Sequence, residues 1–222
     1  MPFPFIKICG ITRRPDALFC AAAGVGALGA VFYGKSPRNV SPAQARYLFE
    51  DLPAPIARVG VFVDASAAAM IATARAAALD TVQMHGEETM ATIRAVMDAG
   101  FHVVKVLGRR GEDWLAAARA LPPPVGLLVE CGQGVLPGGN AAIWNWSAAA
   151  PLAPLRPFAI AGGLHPLNLA VAARSSRASG FDVSSGVESA PGVKDEAAVR
   201  AFLQAAADLG PPPHSFSWKG AP

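Results

Sequence analysis

Charge is scarce in this chain. Lys, Arg, Asp and Glu make up 16% of its 222 residues against 52% hydrophobic ones, a balance that excludes an intrinsically disordered chain and supplies apolar surface for a sizeable core. Cysteine is scarce too. Cys9, Cys20 and Cys131 are three, with no C-x-x-C pair, which supports neither a disulfide framework nor a structural zinc site. A reducing, cytoplasmic compartment is the expectation. Dense basic clusters are missing: the pI is near 9.0, but the net charge is only +3. The tightest basic spots, Arg13-Arg14 and Arg109-Arg110, are not interleaved with aromatics, so nucleic acid is not the expected partner. An anionic small molecule suits this balance better.

One uncharged stretch, Ala17 to Gly34, follows Thr12-Arg13-Arg14 and has the outline of a twin-arginine signal or a membrane span. Pro15 and Asp16 interrupt its start, and Gly24, Gly26 and Gly29 break it where a helix hands over to a strand. An Ala-rich helix followed by a buried strand is the reading, with no membrane partner.

Short β-branched or apolar runs alternate along the chain with Ala-rich stretches of helical length. The strand candidates are Phe5 to Cys9, Ala27 to Tyr33, Ala57 to Val63, Thr81 to His85, His102 to Leu107, Val125 to Cys131, Pro157 to Ala161 and Phe181 to Ser184. Between them lie helix candidates Pro15 to Ala23, Pro42 to Glu50, Ala67 to Ala78, Glu87 to Ala99, Glu112 to Leu121, a short one near Ser147, Pro166 to Arg174 and Asp195 to Leu209. Eight units of about 26 residues predict an α/β protein, a single (β/α)₈ TIM barrel over residues 1–210. A doubly wound sheet is the runner-up. It would more often carry G-x-G-x-x-G after the first strand, where Cys9-Gly10-Ile11-Thr12 stands instead. Residues 211–222 open on three prolines that cannot extend the last helix, and read as a loose tail without a catalytic role.

In such a barrel the chemistry lies at the C-terminal ends of the strands. Period two places Lys7 and Cys9 on one face and Ile6 and Ile8 on the other. If the isoleucines face the helices, Lys7 and Cys9 point inward, and a lysine beside Cys9 favours its thiolate. Gln83 and His85 share a face at the end of strand four. At the end of strand six only one of Glu130 and Cys131 can face inward, and the parity of Leu128 selects Glu130. A carboxyl in an apolar mouth has reason to hold its proton, as a general acid must. Gly162-Gly163 and Ser184-Ser185-Gly186 follow strands seven and eight, where barrels bind phosphate through backbone amides. Asp182, on the strand beside the first, is the expected partner of buried Lys7, since a lone buried ammonium is costly.

These motifs, with Ser36-Pro37-Arg38, Val59-Gly60-Val61-Phe62-Val63, Val187-Glu188, Pro191-Gly192 and Lys194-Asp195, resemble the phosphoribosylanthranilate isomerases over about residues 5–207. The resemblance implies an Amadori rearrangement of a phosphorylated small molecule without metal or organic cofactor. It gives Cys9 the proton of ribose C2′, Arg38 the anthranilate carboxylate, and Gly162, Gly163, Ser184, Ser185 and Gly186 the phosphate, with Asp182 and His85 lining the pocket. The family's acid is an aspartate at the end of strand six, and this chain has Leu127-Leu128-Val129-Glu130 there. The loop after it, Gly138-Gly139-Asn140 to Trp146, also departs from the family's pattern. A sugar-phosphate isomerase of histidine biosynthesis would have an aspartate at Cys9 and a second phosphate loop. A binder of phosphorylated ligands that has lost the acid is the non-enzymatic alternative. Monomer and homodimer are both open.

Overall fold

The alternation of inward and outward side chains along the first strand sets the architecture. In a computed structural model describing residues 3–108, 111–130, 143–210, 212 and 214–219, eight parallel strands close into a barrel in chain order. They are β1 (Phe3–Ile8), β2 (Val25–Phe32), β3 (Ala57–Phe62), β4 (Thr81–Met84), β5 (His102–Leu107), β6 (Gly126–Val129), β7 (Ala159–Ile160) and β8 (Gly180–Val183). Closure comes from β1 pairing with β8, with Lys7 opposite Asp182. Cys131, placed at the end of the sixth strand by the sequence, lies outside the described residues, as do Gly138 to Ala142.

The helices are α1 (Arg14–Ala22), α2 (Pro42–Phe49), α3 (Ala67–Ala76), α4 (Met90–Asp98), α5 (Trp114–Ala120), α6 (Leu169–Ser176) and α7 (Glu196–Asp208). The sixth crossover is a 3₁₀ segment, Trp146–Leu152. Local chemistry starts them where they start. Ser41 and Gln44 form a reciprocal capping box ahead of Pro42, and Ser66, Thr89, Asp113 and Asp195 each accept a hydrogen bond from a backbone N–H of the first turn. Helix α4 begins at Met90 rather than Glu87 because Thr89 caps it and Glu88 is drawn off by Lys105 and the amide of Gly86.

Two apolar layers result. Ile6, Ile8 and their equivalents pack outward against the helices, while Ala27, Ala57, Val59, Val104, Val106, Leu128, Ala159 and Ala161 fill the barrel itself. The tail departs from the sequence expectation. Trp218 is only 2% exposed and belongs to the inner layer, with Phe216 beside it, so the tail is anchored at these two rings while His214, Ser215 and Ser217 are exposed. Helix α7 ends at Asp208, followed by Gly210 in the left-handed region, and two aromatic side chains further on still find apolar surface. A further feature is absent from the sequence reading: after a 3₁₀ turn at Ser185–Val187, strands β9 (Glu188–Ala190) and β10 (Val193–Lys194) form an antiparallel pair. Among the described residues no helix is long and apolar enough to cross a membrane.

Candidate active site

Parallel register brings all eight strand ends to one rim. There a cavity of about 800 Å³, counted out to its open mouth, is lined by Cys9, Arg38, Gln83, His85, Glu130, Gly162, Gly163, Asp182, Ser184 and Ser185 among others. Ten of the eleven predicted site residues thus meet in one place. Gly186 is the exception: it stands behind the lining.

Cys9 and Lys7 point inward from β1, as their parity requires. The Lys7 ammonium is fully buried and sits 2.7 Å from Asp182 Oδ2. Burial alone pushes its pKa down, but Asp182 and then Cys9 outweigh that cost and hold it above the ordinary lysine range. At Cys9 Lys7 favours the thiolate as its place on the strand predicts, but burial decides the balance. Burial raises the thiol pKa, and the opposing pull of Lys7 does not make up for it, since Asp182 also disfavours a second negative charge. Cys9 is therefore held as a thiol rather than a thiolate. Close packing of this corner depends on Gly29, where a Cβ would stand 2.8 Å from Cys9 Sγ and 3.0 Å from Lys7 Cε.

Across the mouth, His85 from the end of β4 and Glu130 from the end of β6 approach to 3.4 Å between Nε2 and Oε2. Glu130 is 7% exposed. A carboxylate at that distance would raise an imidazole, yet burial, Lys105 and Lys7 prevail and lower His85 to about 4, so the ring is neutral at physiological pH. Two acceptors that face the cavity, Gln83 Oε1 and Asp182 Oδ1, are buried with no hydrogen-bond partner. Such groups are costly unless something completes them, and here only a ligand hydroxyl or amine, or water, could.

The loops after β7 and β8 are built for close backbone approach. Gly162 and Gly163 have φ of +86° and +66°, a region that side-chain-bearing residues rarely adopt. At Gly186 a Cβ would fall 1.9 Å from the carbonyl oxygen of Leu164, so glycine lets the two loops press together. The Ser184 hydroxyl is buried without a partner.

Arg38 reaches the cavity from the loop after β2. Its Nε donates to Glu188 Oε1 at 2.9 Å and its Nη2 to Oε2 at 2.5 Å. Glu188 in turn accepts from Lys194 Nζ at 2.7 Å, and the same ammonium donates to the carbonyls of Cys9 at 2.6 Å and Ser184 at 3.3 Å. Burial penalises the Glu188 carboxylate, but Arg38 and Lys194 hold it below the usual range. Glu188, Lys194 and Lys105 were not among the residues the sequence singled out. The first two stand inside the matched motifs, but nothing local says that a hairpin folds them back under Cys9.

The profile of the family described as N-(5'phosphoribosyl)anthranilate (PRA) isomerase matches residues 6–205. The chain belongs to that family. A phosphoribosylanthranilate isomerase of Pseudomonas fluorescens is 41% identical over 208 residues, covering 92% of this chain and 96% of that protein. That of Paramagnetospirillum magneticum is 40% identical over 213 residues, 90% and 96% of the two chains. Among solved structures, the phosphoribosyl anthranilate isomerase of Thermotoga maritima agrees with a TM-score of 0.83 at 34% identity, over 94% of this chain and all of that one. Another phosphoribosyl anthranilate isomerase, in complex with reduced 1-(o-carboxyphenylamino)-1-deoxyribulose 5-phosphate, agrees with a TM-score of 0.80 at 34% identity, over 94% and 100%. The isomerase match ends at residue 205, so the anchored tail lies beyond it.

Proposed function

We propose that this chain converts N-(5'-phosphoribosyl)anthranilate to 1-(o-carboxyphenylamino)-1-deoxyribulose 5-phosphate in tryptophan biosynthesis, with Glu130 as the acid and Cys9 as the base. The observation that carries this reading is that an inward thiol, an inward carboxyl, an arginine and two glycine-bearing loops share one cavity.

The amides of the β7 and β8 loops and the Ser184 and Ser185 hydroxyls take the phosphate, fixing the ribose between β1 and β6. Arg38 spends Nε and Nη2 on Glu188, which leaves Nη1 for the anthranilate carboxylate. Glu130 gives its proton to the furanose ring oxygen as the C1′–O bond breaks, and the anthranilate nitrogen forms a Schiff base at C1′. Cys9 then takes the C2′ proton, leaving an enamine whose hydroxyl becomes the C2′ ketone as C1′ gains a proton. For that step Cys9 must itself lose a proton. Lys7 and Lys194 are the cations that favour its thiolate against burial and Asp182, and the cationic Schiff base adds to them. Gln83 Oε1 and Asp182 Oδ1 are the acceptors for ribose hydroxyls.

The test is the loss of substrate fluorescence when phosphoribosylanthranilate is generated in situ from anthranilate and purified protein is added. Turnover that disappears in Cys9→Ala is the expected result. Tight binding of a reduced product analogue without any turnover would instead make the chain a binder of phosphorylated ligands.

A further inference from the structure

The lower end of the barrel interior is lined by small residues of its own strands. The inward positions near the start of β2, β3, β7 and β8 are Ala27, Ala57, Ala159 and Gly180, which leave a space that one large residue can fill. The indole of Trp218 fills it from the tail, 2% exposed and in the same apolar cluster as the three alanines. Two sets of contacts hold it there. Phe216 packs edge-on to it, with ring centroids 4.9 Å apart, and lies so close to Gly180 that a Cβ on that glycine would stand 2.8 Å from Phe216 Cδ1. Lys219 clamps the end, with Nζ 3.1 Å from Asp80 Oδ2 and 2.8 Å from the Ala54 carbonyl.

Above the indole lies the Lys7 ammonium, 5.7 Å from the ring centroid, within cation–π range. We propose that residues 214–219 form the floor of the barrel and that Trp218 is a positioning residue for the reaction, keeping water from Lys7 and holding its ammonium up against Asp182 and Cys9. The inference rests on the reading of Cys9 as the base. Cys9 is faced by Lys7 from its own strand, Asp182 from β8, Lys194 from β10 and Arg38 from the loop after β2. Of these, Lys7 is the one that Trp218 touches. Water admitted beneath it would screen its charge, and the Cys9 thiolate would lose support.

The experiment compares Trp218→Ala, Trp218→Leu and Trp218→Phe in the full chain, reading kcat, KM and the low-pH limb of the kcat profile. The expected result is a kcat about thirtyfold lower in Trp218→Ala and Trp218→Leu, the scale of a desolvated cation–π contact, with KM unchanged because the substrate contacts lie at the other end. The limb moves to higher pH in both, and Trp218→Phe, which keeps an aromatic face, restores both quantities. Leu fills much of the space without a π face, so it decides the matter if the alanine variant does not fold. Unchanged kcat and limb in Trp218→Leu, whatever its melting temperature, would overturn the proposal and leave the tail a structural plug. Full turnover in Cys9→Ala would instead overturn the reading of the base.

Discussion

Nε2 of His85 and Oε2 of Glu130 stand 3.4 Å apart across the mouth of the barrel, so the carboxyl assigned to the ring oxygen is braced by a residue two strands away. The extra methylene of glutamate over aspartate is what lets a β6 side chain reach that far. A neutral imidazole there can orient Glu130 without competing for its proton at neutral pH.

Glu130→Gln removes the proton but keeps the shape. It should lower kcat by about 10²- to 10⁴-fold, the usual worth of a positioned acid, with KM little changed. Glu130→Asp keeps the proton but withdraws it by about an ångström, and should cost roughly 10²-fold. Steady-state kinetics of the two variants check both, and an aspartate variant as fast as the parent would show that the His85 contact does not matter.

The depressed pKa of His85 predicts an acid sensitivity. Its folded value is about 4 against 6.5 for the ordinary group, so as pH falls below about 6.5 the unfolded chain binds a proton that the folded chain refuses. This contribution is complete above about pH 6.5 and is lost progressively down to about pH 4, on the order of 3 kcal/mol in all. Urea unfolding at pH 7 and pH 4.5 should show a smaller drop in His85→Asn than in the parent. Equal drops would mean that the imidazole titrates normally.

Burial holds Cys9 above its ordinary pKa of 9.0 and pushes Cys20 up to about 12. Alkylation of Cys9 by iodoacetamide, followed by peptide mass spectrometry, should be slow at pH 7 and still accelerating past pH 9. Cys20 should stay unmodified throughout, and a reduced product analogue should protect Cys9. Rapid modification of Cys9 at pH 7 would place a thiolate in the resting site.

Gly186→Ala tests the closeness of the two loops proposed to take the phosphate. Its new Cβ would meet the Leu164 carbonyl oxygen at 1.9 Å, and that oxygen belongs to backbone and cannot rotate away. The loops must part, and KM should rise by at least about tenfold, with a stability cost of about 1–3 kcal/mol from overpacking. Isothermal titration with inorganic phosphate gives the binding loss directly.

Much of this was legible in advance for local reasons. The alternation Ile6, Lys7, Ile8, Cys9 carries its own in–out parity, and the parity of Leu128 picked Glu130 correctly as the residue facing the cavity. The pairing of Lys7 with Asp182 followed from the cost of a buried ammonium and the closure of β8 on β1. Where parity was silent, the reading stopped. Glu188 and Lys194 look like ordinary surface charges until the β9–β10 pair folds them beneath Cys9. Lys105 faces away from the cavity and acts on His85 only through its field. The resting state of Cys9 was not legible, because Lys7, which favours the thiolate, is a neighbour in sequence, while the burial that outweighs it is a property of the whole barrel.

The chain's own periodicity and turn chemistry determined eight strand–helix units, which side chains face inward, and which strand ends carry a thiol, a carboxyl and glycine-bearing loops, because those signals act over a few residues. Tertiary structure alone decided which of those groups touch, which hold their protons, and that Trp218 closes the barrel from below. Those outcomes depend on distances and desolvation between residues as far apart as Lys7 and Trp218, and no local pattern encodes either.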